Sequence, residues 1–174
     1  MHRAETYRFC PRCGGPLEKK ILKKSEPSRL FCGNCGFIFY LDPKIAAAVI
    51  VEIDGAIVLA RRAINPARGK WVIPGGFVDL GEPVTDAACR ETWEEVRLRI
   101  ALSSLVGVYS YPDVSVAVVI YAAKAISGIP EAGDETLEAR LFHPSDIPWE
   151  DIAFASTADG LRDYLAQRHT ILTR

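Results

Sequence analysis

Two long apolar stretches have the length and composition of buried strands. They are "IAAAVIV" at residues 45–51 and "VSVAVVIYAA" at residues 114–123, and both are rich in β-branched side chains. Such runs, bounded by turn residues, are typical of strands in a packed core. The first run continues through Asp54-Gly55 into "AIVLARR", and Asp-Gly between two apolar runs predicts a β-hairpin.

A helical pattern follows at residues 83–96, "PVTDAACRETWEEV". Val84, Ala87 and Ala88 recur at helical spacing, and the acidic residues fall on another face. Pro83 suits the first turn of a helix. Further strands are predicted at 104–111, at 114–125 and in "ETLEARLFH", and a C-terminal helix is predicted in "DGLRDYLAQRH". Strands interleaved with two helices indicate an α/β sandwich over residues 42–174.

Four of the five cysteines form two Cys-x-x-Cys pairs, separated by 18 residues. This spacing is typical of a zinc ribbon, in which four thiolates bind one structural Zn²⁺. Two disulfides or a redox pair are the alternatives, and disulfides need an oxidising compartment. We therefore predict a ribbon over residues 1–41 with the ligands Cys10, Cys13, Cys32 and Cys35. Cys89 is left over, and its place in the helical pattern predicts a small buried hydrophobe.

Composition and charge narrow the function classes. Apolar residues make up 49% of the 174 residues and charged residues 25%, which favours a packed core. The net charge of −1 argues against a nucleic-acid partner, because no basic field would attract one. No 18-residue apolar stretch and no apolar N-terminal run occurs, so we expect no membrane association and a cytoplasmic location.

Three glutamates, Glu91, Glu94 and Glu95, crowd into five positions of the predicted helix. At about 100° per residue they share an arc of roughly 100°, where like charges repel. A plain acidic surface helix is one explanation. The other is a divalent cation held between the carboxylates, and hard oxygen ligands favour Mg²⁺ or Mn²⁺.

The residues around this triplet resemble the Nudix hydrolase box. The matching positions are Gly76-x5-Glu82-x7-Arg90-Glu91-x2-Glu94-Glu95. The resemblance implies the Nudix α/β/α sandwich and a loop–helix–loop that holds divalent metals against a diphosphate. It also implies hydrolysis of a nucleoside diphosphate linked to another group, with a metal-activated water as the attacking group.

Roles follow from the resemblance position by position. Arg90 would orient the glutamates through charge-assisted hydrogen bonds, with Glu82 as its structural partner. No Ser or Cys nucleophile is required. The metal ligands would be Glu91, Glu94 and Glu95, joined by the carbonyl oxygen of Gly76.

Two positions depart from the family pattern. Thr92 stands where the box usually has an aliphatic residue, and it keeps a methyl group for packing. Arg97 stands where the box usually has the glycine that ends the helix with positive φ. A residue with a side chain there costs about 1 kcal/mol of stability, unless the helix exit differs.

The second half offers further candidates. Zinc-ribbon Nudix enzymes that cleave NADH supply another metal-binding glutamate from a segment similar to "ETLEARLF", so we predict Glu138 as a fourth ligand or general base. Glu135 is the alternative, because loop glutamates serve this purpose in ADP-ribose hydrolases. Tyr111 and Phe142, together with Tyr109, are candidates to stack on an adenine or flavin ring.

The branch of the family sets the predicted substrate. The NADH-cleaving branch has a Ser-Gln-Pro-Trp-Pro-Phe-like segment after the box, where this chain has "SYPDVSVAV". The chain is more similar to ribbon-bearing FAD and ADP-ribose pyrophosphatases. We therefore expect a small-molecule nucleotide substrate, ADP-ribose or FAD, cleaved to AMP and the other phosphorylated half. An NADH pyrophosphatase and a non-catalytic ligand- or RNA-binding module are the alternatives, and we allow for a homodimer.

Overall fold

The computed structural model describes residues 7–172, with side chains described for residues 7–168. The chain divides into two compact units, Met1–Pro43 and Lys44–Arg174. Within the described residues, neither α-helix has the length and apolar character needed to span a membrane.

The first unit is a small three-stranded antiparallel sheet. Its strands are β1 (Leu17–Lys20), β2 (Arg29–Cys32) and β3 (Ile38–Phe39), in that spatial order. The charged segment between the cysteine pairs therefore forms a hairpin of β1 and β2. Few of its described apolar side chains are buried, so its hydrophobic core is too small to supply most of its stability.

The second unit is built on a mixed seven-stranded sheet with two helices. The main strand order is β10-β5-β4-β9-β8, with β6 beside β5 and β7 beside β4. Strands β4 and β9 run parallel, and the other pairs are antiparallel. The elements are β4 (Lys44–Ile53), β5 (Ala56–Arg62), β6 (Trp71–Val72), β7 (Gly75–Phe77), α1 (Val84–Val96), β8 (Arg99–Tyr109), β9 (Val116–Ser127), β10 (Thr136–Phe142) and α2 (Ala155–Leu172).

The two faces of this sheet carry separate hydrophobic cores. Val49 and Val51 of β4 pack on one face with Ala88 of α1. Ile50, on the opposite side of the same strand, packs with Leu161 of α2. Because strand side chains alternate between faces, the apolar run of β4 fills both cores. The predicted α/β/α sandwich is confirmed.

Strands β4 and β5 separate after a short paired stretch, and the glycine-rich segment pairs with β4 beyond that point. The predicted hairpin forms, but its strands pair only at Glu52–Ile57 and Ile53–Ala56. Beyond this point β4 pairs with β7 and β5 pairs with β6. Gly75 and Gly76 both lie in β7, because β4 supplies a pairing edge there.

Some element bounds also differ from the prediction. Strand β8 begins at Arg99, five residues before the predicted start at residue 104. Its first residues are mostly exposed, and only Ile100 among the first three is buried, so the apolar signal is weak there. Helix α2 begins at Ala155, four residues before the predicted start.

Candidate active site

Helix α1 carries the acidic triplet and has unusual residues at both ends. Pro83 caps its first turn in an extended conformation, without a side-chain hydrogen bond. The helix ends at Arg97, which has φ 57° and ψ 26°, and the Arg97 N–H donates to the Trp93 carbonyl at 3.0 Å. Arg97 therefore adopts the left-handed conformation that glycine favours.

Arg90 is the centre of the network on this helix. Its Nε donates to Glu82 Oε1 at 2.8 Å, and its Nη2 donates to Glu82 Oε2 at 3.0 Å and to the Phe77 carbonyl at 3.1 Å. Its Nη1 donates to Glu91 Oε1 at 2.8 Å and to Glu94 Oε2 at 3.0 Å. All five guanidinium N–H groups can thus be satisfied by protein acceptors. The hydrogen bonds from Arg90 are the main reason that the pKa of Glu82 is lowered to about 2.

Glu95 and Glu91 are the sheltered members of the triplet. Glu95 is 8% exposed, and its Oε2 accepts a hydrogen bond of 2.9 Å from the Gly75 N–H. Burial raises the pKa of Glu95 to about 7, against the lowering effect of the Gly75 bond. Burial also raises the pKa of Glu91. A Cβ on Gly76 would overlap the Glu91 carboxylate, so a larger residue at this position would displace that carboxylate.

These carboxylates fit a divalent cation by their chemistry. Two acids with raised pKa values lie side by side, and a cation would offset the cost of ionising them. Glu94 is more open, with a side chain 53% exposed, and Arg90 Nη1 lies between its carboxylate and that of Glu91. The oxygen-only donor set is the kind that hard divalent cations prefer.

Glu135 lies at the end of a loop that docks on the C-terminal end of α1. The Gly133 N–H donates to the Glu95 carbonyl at 2.9 Å, and a Cβ on Gly133 would overlap the Glu94 carbonyl oxygen. The charge of Glu135 contributes to the raised pKa values of both Glu91 and Glu95. The structure therefore brings Glu135 to the acidic site.

Glu138 is not brought to this site. Ala139 of β10 packs against the core beneath α1, so the alternation of the strand turns Glu138 to the opposite face. There Glu138 lies opposite Arg61 in register, with a carboxylate oxygen 3.9 Å from Arg61 Nη1.

Phe142 lies in the core. Its side chain is 7% exposed, and its ring packs edge-to-face on Trp71, with centroids 4.9 Å apart and planes at 78°. The ring is therefore not available to stack on a nucleotide, in contrast to our expectation. Trp71, which packs on this ring, is 71 residues away in the chain, so no local sequence pattern indicates that Phe142 is buried.

The two candidate tyrosines contact helix α2. Tyr111 donates its hydroxyl proton to Asp159 at 2.7 Å, and Tyr109 donates to Asp163 at 2.8 Å. With Arg162 they line an open cavity of about 350 Å³. Tyr109 packs against the core beneath α2, on the sheet face opposite α1.

Sequence reasoning missed Arg62, the last residue of β5. Its positive charge lowers the pKa of Glu95, which offsets part of the effect of burial. Nothing in the local pattern distinguishes it from Arg61. The two arginines differ only in the face of the sheet on which each side chain lies, and the register of β5 decides this.

The four cysteines of the first unit form the predicted cluster. The Sγ atoms of Cys10 and Cys35 are 3.7 Å apart, those of Cys13 and Cys32 are 3.5 Å apart, and all four lie within 4.8 Å of one another. A tetrahedron with Zn–S bonds of about 2.3 Å has edges of about 3.8 Å. A disulfide would need about 2.05 Å. The cluster therefore fits Zn²⁺.

One thiol of this cluster is prepared to ionise. Backbone N–H groups of Cys35 and Asn34 lower the pKa of Cys32 to about 7. Thiolates are the form that binds zinc. Cys89, in the second unit, is half-buried against the core beneath α1, and burial raises the pKa of its thiol. The predicted packing role of Cys89 agrees with this position.

Comparison with known proteins decides the family. A family model described as "NUDIX domain" matches residues 42–164, and one described as "Nudix N-terminal", the Nudix zinc ribbon, matches residues 8–41. The chain belongs to the Nudix family. The predicted resemblance is confirmed, and Nudix membership, together with the relatives below, indicates a hydrolase that acts on pyrophosphate bonds.

Three similar proteins illustrate the relationship. The crystal structure of a Nudix hydrolase from Nitrosomonas europaea is 38% identical, with a TM-score of 0.88, over 94% of this chain and 93% of that chain. An ADP-ribose pyrophosphatase from Methanocaldococcus jannaschii is 37% identical over 139 residues, 78% of each chain. The NAD-capped RNA hydrolase NudC of Salmonella paratyphi C is 32% identical over 83% of this chain, which spans 56% of the length of that relative.

Proposed function

We propose that the protein is a divalent-metal-dependent pyrophosphatase that cleaves the diphosphate bridge of an ADP-containing nucleotide. ADP-ribose and FAD are the favoured substrates, and AMP and the other phosphorylated half are the products. The observation that carries the proposal is the pair of sheltered carboxylates, Glu91 and Glu95, whose pKa values are raised. The similarity to an ADP-ribose pyrophosphatase supports the choice of substrate.

The proposed metal ligands are Glu91, Glu94 and Glu95, with the Gly76 carbonyl oxygen. Bound Mg²⁺ or Mn²⁺ would neutralise phosphate charge and lower the pKa of a water. The chain itself supplies positioning. Arg90 fixes Glu91 and Glu94 through hydrogen bonds from one nitrogen.

We propose Glu135, in place of Glu138, as the further acidic residue of the site. Its charge already acts on Glu91 and Glu95, whereas Glu138 faces Arg61 on the other side of the sheet. In this position Glu135 would either complete the metal shell or accept the proton of the attacking water.

A second candidate substrate is an NAD derivative. The first unit matches the Nudix zinc ribbon model, and several similar proteins are named NAD-capped RNA hydrolases. NADH or an NAD-capped RNA would present the same diphosphate bridge. The non-catalytic alternative, a ligand- or RNA-binding module, is less favoured because every charged position of the box is present.

The ribbon and the cellular setting complete the proposal. We propose one structural Zn²⁺ on the four cysteines, with no open coordination position. A reducing cytoplasm would keep these thiols free for the metal. A homodimer stays a prediction that sedimentation at several protein concentrations would test.

The test is a substrate panel of ADP-ribose, FAD, NADH, NAD-capped RNA and nucleoside triphosphates, assayed with Mg²⁺ and with Mn²⁺. Chromatography should show AMP and FMN as the first products from FAD. Glu94→Gln should lower turnover by orders of magnitude, because it removes one charge from the proposed metal site. Release of inorganic phosphate as the first product, or normal turnover by this variant, would contradict the proposal.

A further inference from the structure

Arg62 has a guanidinium group that the protein fixes in place. Its Nε donates to the Pro66 carbonyl at 2.9 Å. Its Cζ lies 5.1 Å from the centroid of the Phe154 ring, which is a cation–π contact. One edge and one face of the guanidinium are therefore held, and the plane of the fork is set before any ligand arrives.

The segment that carries Phe154 is itself tied down. Lys70 Nζ forms an ion pair of 2.8 Å with Asp151. The Ala153 N–H donates to the Trp71 carbonyl at 2.9 Å. Phe154, which is 36% exposed, thus rests on a segment joined to the neighbourhood of β6 and serves as a platform for Arg62.

The two terminal nitrogens of Arg62 are uncommitted. Among the side chains described, residues 7–168, neither Nη1 nor Nη2 of Arg62 has a hydrogen bond or an ion pair. Arg90 differs, because its donors are shared among Glu82, Glu91, Glu94 and a backbone carbonyl. Arg62 is therefore free to bind an anion through two parallel N–H groups, and Arg90 is not.

The position of Arg62 sets where that anion would lie. Val58 and Ala60 of β5 pack in the core beneath α1, so Arg62 faces the same side of the sheet. The next residue, Ala63, donates its N–H to the Glu135 carbonyl at 2.8 Å. Arg62 thus borders the acidic site and carries positive charge there.

We propose that Arg62 binds a phosphate group of the substrate diphosphate, with Phe154 as the platform that orients its guanidinium. The inference rests on the proposed function. A diphosphate approaching several carboxylates needs compensating positive charge, and a planar fork with two free N–H donors matches two phosphate oxygens. Arg62 is then a substrate-binding residue that the family motif does not contain.

The chain offers a matched control in Arg61. It is adjacent on β5, faces the opposite side of the sheet, and donates its Nε to the Gly69 carbonyl at 2.9 Å. We compare Arg62→Gln, Arg62→Lys and Arg61→Gln on the substrate that the panel identifies. Arg62→Gln should raise KM about tenfold or more, because a charge-assisted contact is lost, while Arg61→Gln stays within about twofold of the native protein.

Arg62→Lys separates phosphate binding from a general charge effect. Lysine keeps the charge but not the fork, so this variant should also show a raised KM. Phe154→Leu keeps Arg62 and should raise KM by a smaller factor, which covers the case in which Arg62→Gln fails to fold. Full activity of Arg62→Lys, or identical kinetics for Arg62→Gln and Arg61→Gln, would overturn the inference.

A binding measurement distinguishes failure of this inference from failure of the proposed function. Titration with α,β-methylene-ADP in Mg²⁺ by calorimetry needs no turnover. In one outcome the native protein hydrolyses none of the substrates, and Arg62→Gln still binds the analogue about tenfold more weakly than Arg61→Gln does. The proposed function then fails, and Arg62 keeps its role in phosphate binding. If the protein hydrolyses its substrate and both variants bind the analogue equally, only the role of Arg62 fails.

Discussion

Arg90 and Glu82 form a two-point ion pair, with Nε 2.8 Å from Oε1 and Nη2 3.0 Å from Oε2. The pair leaves Nη1 of Arg90 directed at Glu91 and Glu94. Glu82 therefore acts on the acidic site through Arg90, without needing to bind metal itself.

Replacing Glu82 should weaken metal binding or activity at the acidic site, although Glu82 is not itself a proposed metal ligand. Glu82→Gln keeps the shape but leaves an NH₂ group facing the donors of Arg90, so the arginine should lose its fixed orientation. We expect activity or metal affinity to fall about 10- to 100-fold, as is common for residues that orient metal ligands. The measurement is turnover as a function of Mg²⁺ concentration. Glu131→Gln, the same change on an exposed loop, should leave both activity and metal affinity unaffected.

Glu135 and Glu138 provide a matched pair of glutamates three residues apart. If Glu135 completes the site, Glu135→Gln should lower kcat by about 100-fold, within the usual contribution of a positioned acid or base. Glu138→Gln should change kcat little, because its carboxylate faces Arg61. Native turnover in both variants would show that neither acid contributes, and a defect confined to Glu138→Gln would restore the original prediction.

Glu95 should make the stability of the metal-free protein depend on pH. Its pKa is raised from 4.5 to about 7 in the fold, so the folded state binds more protons than the unfolded state between these values. The linkage relation then makes the free energy of unfolding fall as pH rises from 4.5 to 7, by at most about 3 kcal/mol. Thermal melting in a chelator mild enough to spare zinc measures this.

Two further samples complete that experiment. Glu95→Gln removes the titrating group, and it should flatten much of the pH dependence of the metal-free protein. Saturating Mg²⁺ should stabilise the native protein more as pH rises through 7, because the Glu95 carboxylate becomes ionised there. Stability that rises between pH 4.5 and 7 without metal would contradict the raised pKa.

The zinc ribbon can be tested with two cysteine substitutions. Cys13→Ser removes a proposed ligand and should abolish stoichiometric zinc binding, since a three-thiolate site holds the metal less well. The amides of residues 7–41 should then lose protection from hydrogen exchange, because this unit has little core. Cys89→Ser should retain one zinc per chain. Zinc content that is the same in both variants would rule out the cluster as the binding site.

Arg97→Gly should stabilise the protein. Arg97 has φ 57°, where a side chain costs about 1 kcal/mol relative to glycine. The substitution also removes an ion pair of 3.3 Å with Asp134, whose side chain is 98% exposed, and such pairs contribute little. We expect a net gain of about 0.5–1 kcal/mol in chemical denaturation. Asp134→Asn alone should be nearly neutral, which isolates the backbone effect.

The sequence was sufficient where the signal was local. Helical spacing predicts that Glu91, Glu94 and Glu95 share a face, and the structure places all three on α1. The positive φ of Arg97 agrees with the Nudix resemblance, which places at this position the glycine that usually ends the helix. The Asp54-Gly55 turn predicted the β4–β5 hairpin, since its residues have the positive φ values, 50° and 86°, that such a turn requires.

The sequence was insufficient where register decided the outcome. A register shift between Thr136 and Glu138 in β10 sets which residues of that strand face α1, and no local pattern reveals it. The preference for Glu138 over Glu135 came from the family resemblance, which does not specify the register of this strand. Arg62 and Arg61 are indistinguishable in sequence for the same reason, because a shift of one residue exchanges the two faces.

The hydrogen bond from the Gly75 N–H to Glu95 has a spectroscopic use. The donor is a backbone amide, so a single ¹⁵N-labelled position would respond to the charge on the carboxylate that it contacts. Ionisation of Glu95 should move the Gly75 amide proton downfield, because a charged acceptor strengthens the bond. This one resonance would report the protonation of a sheltered acid during titration, without a substitution that disturbs it.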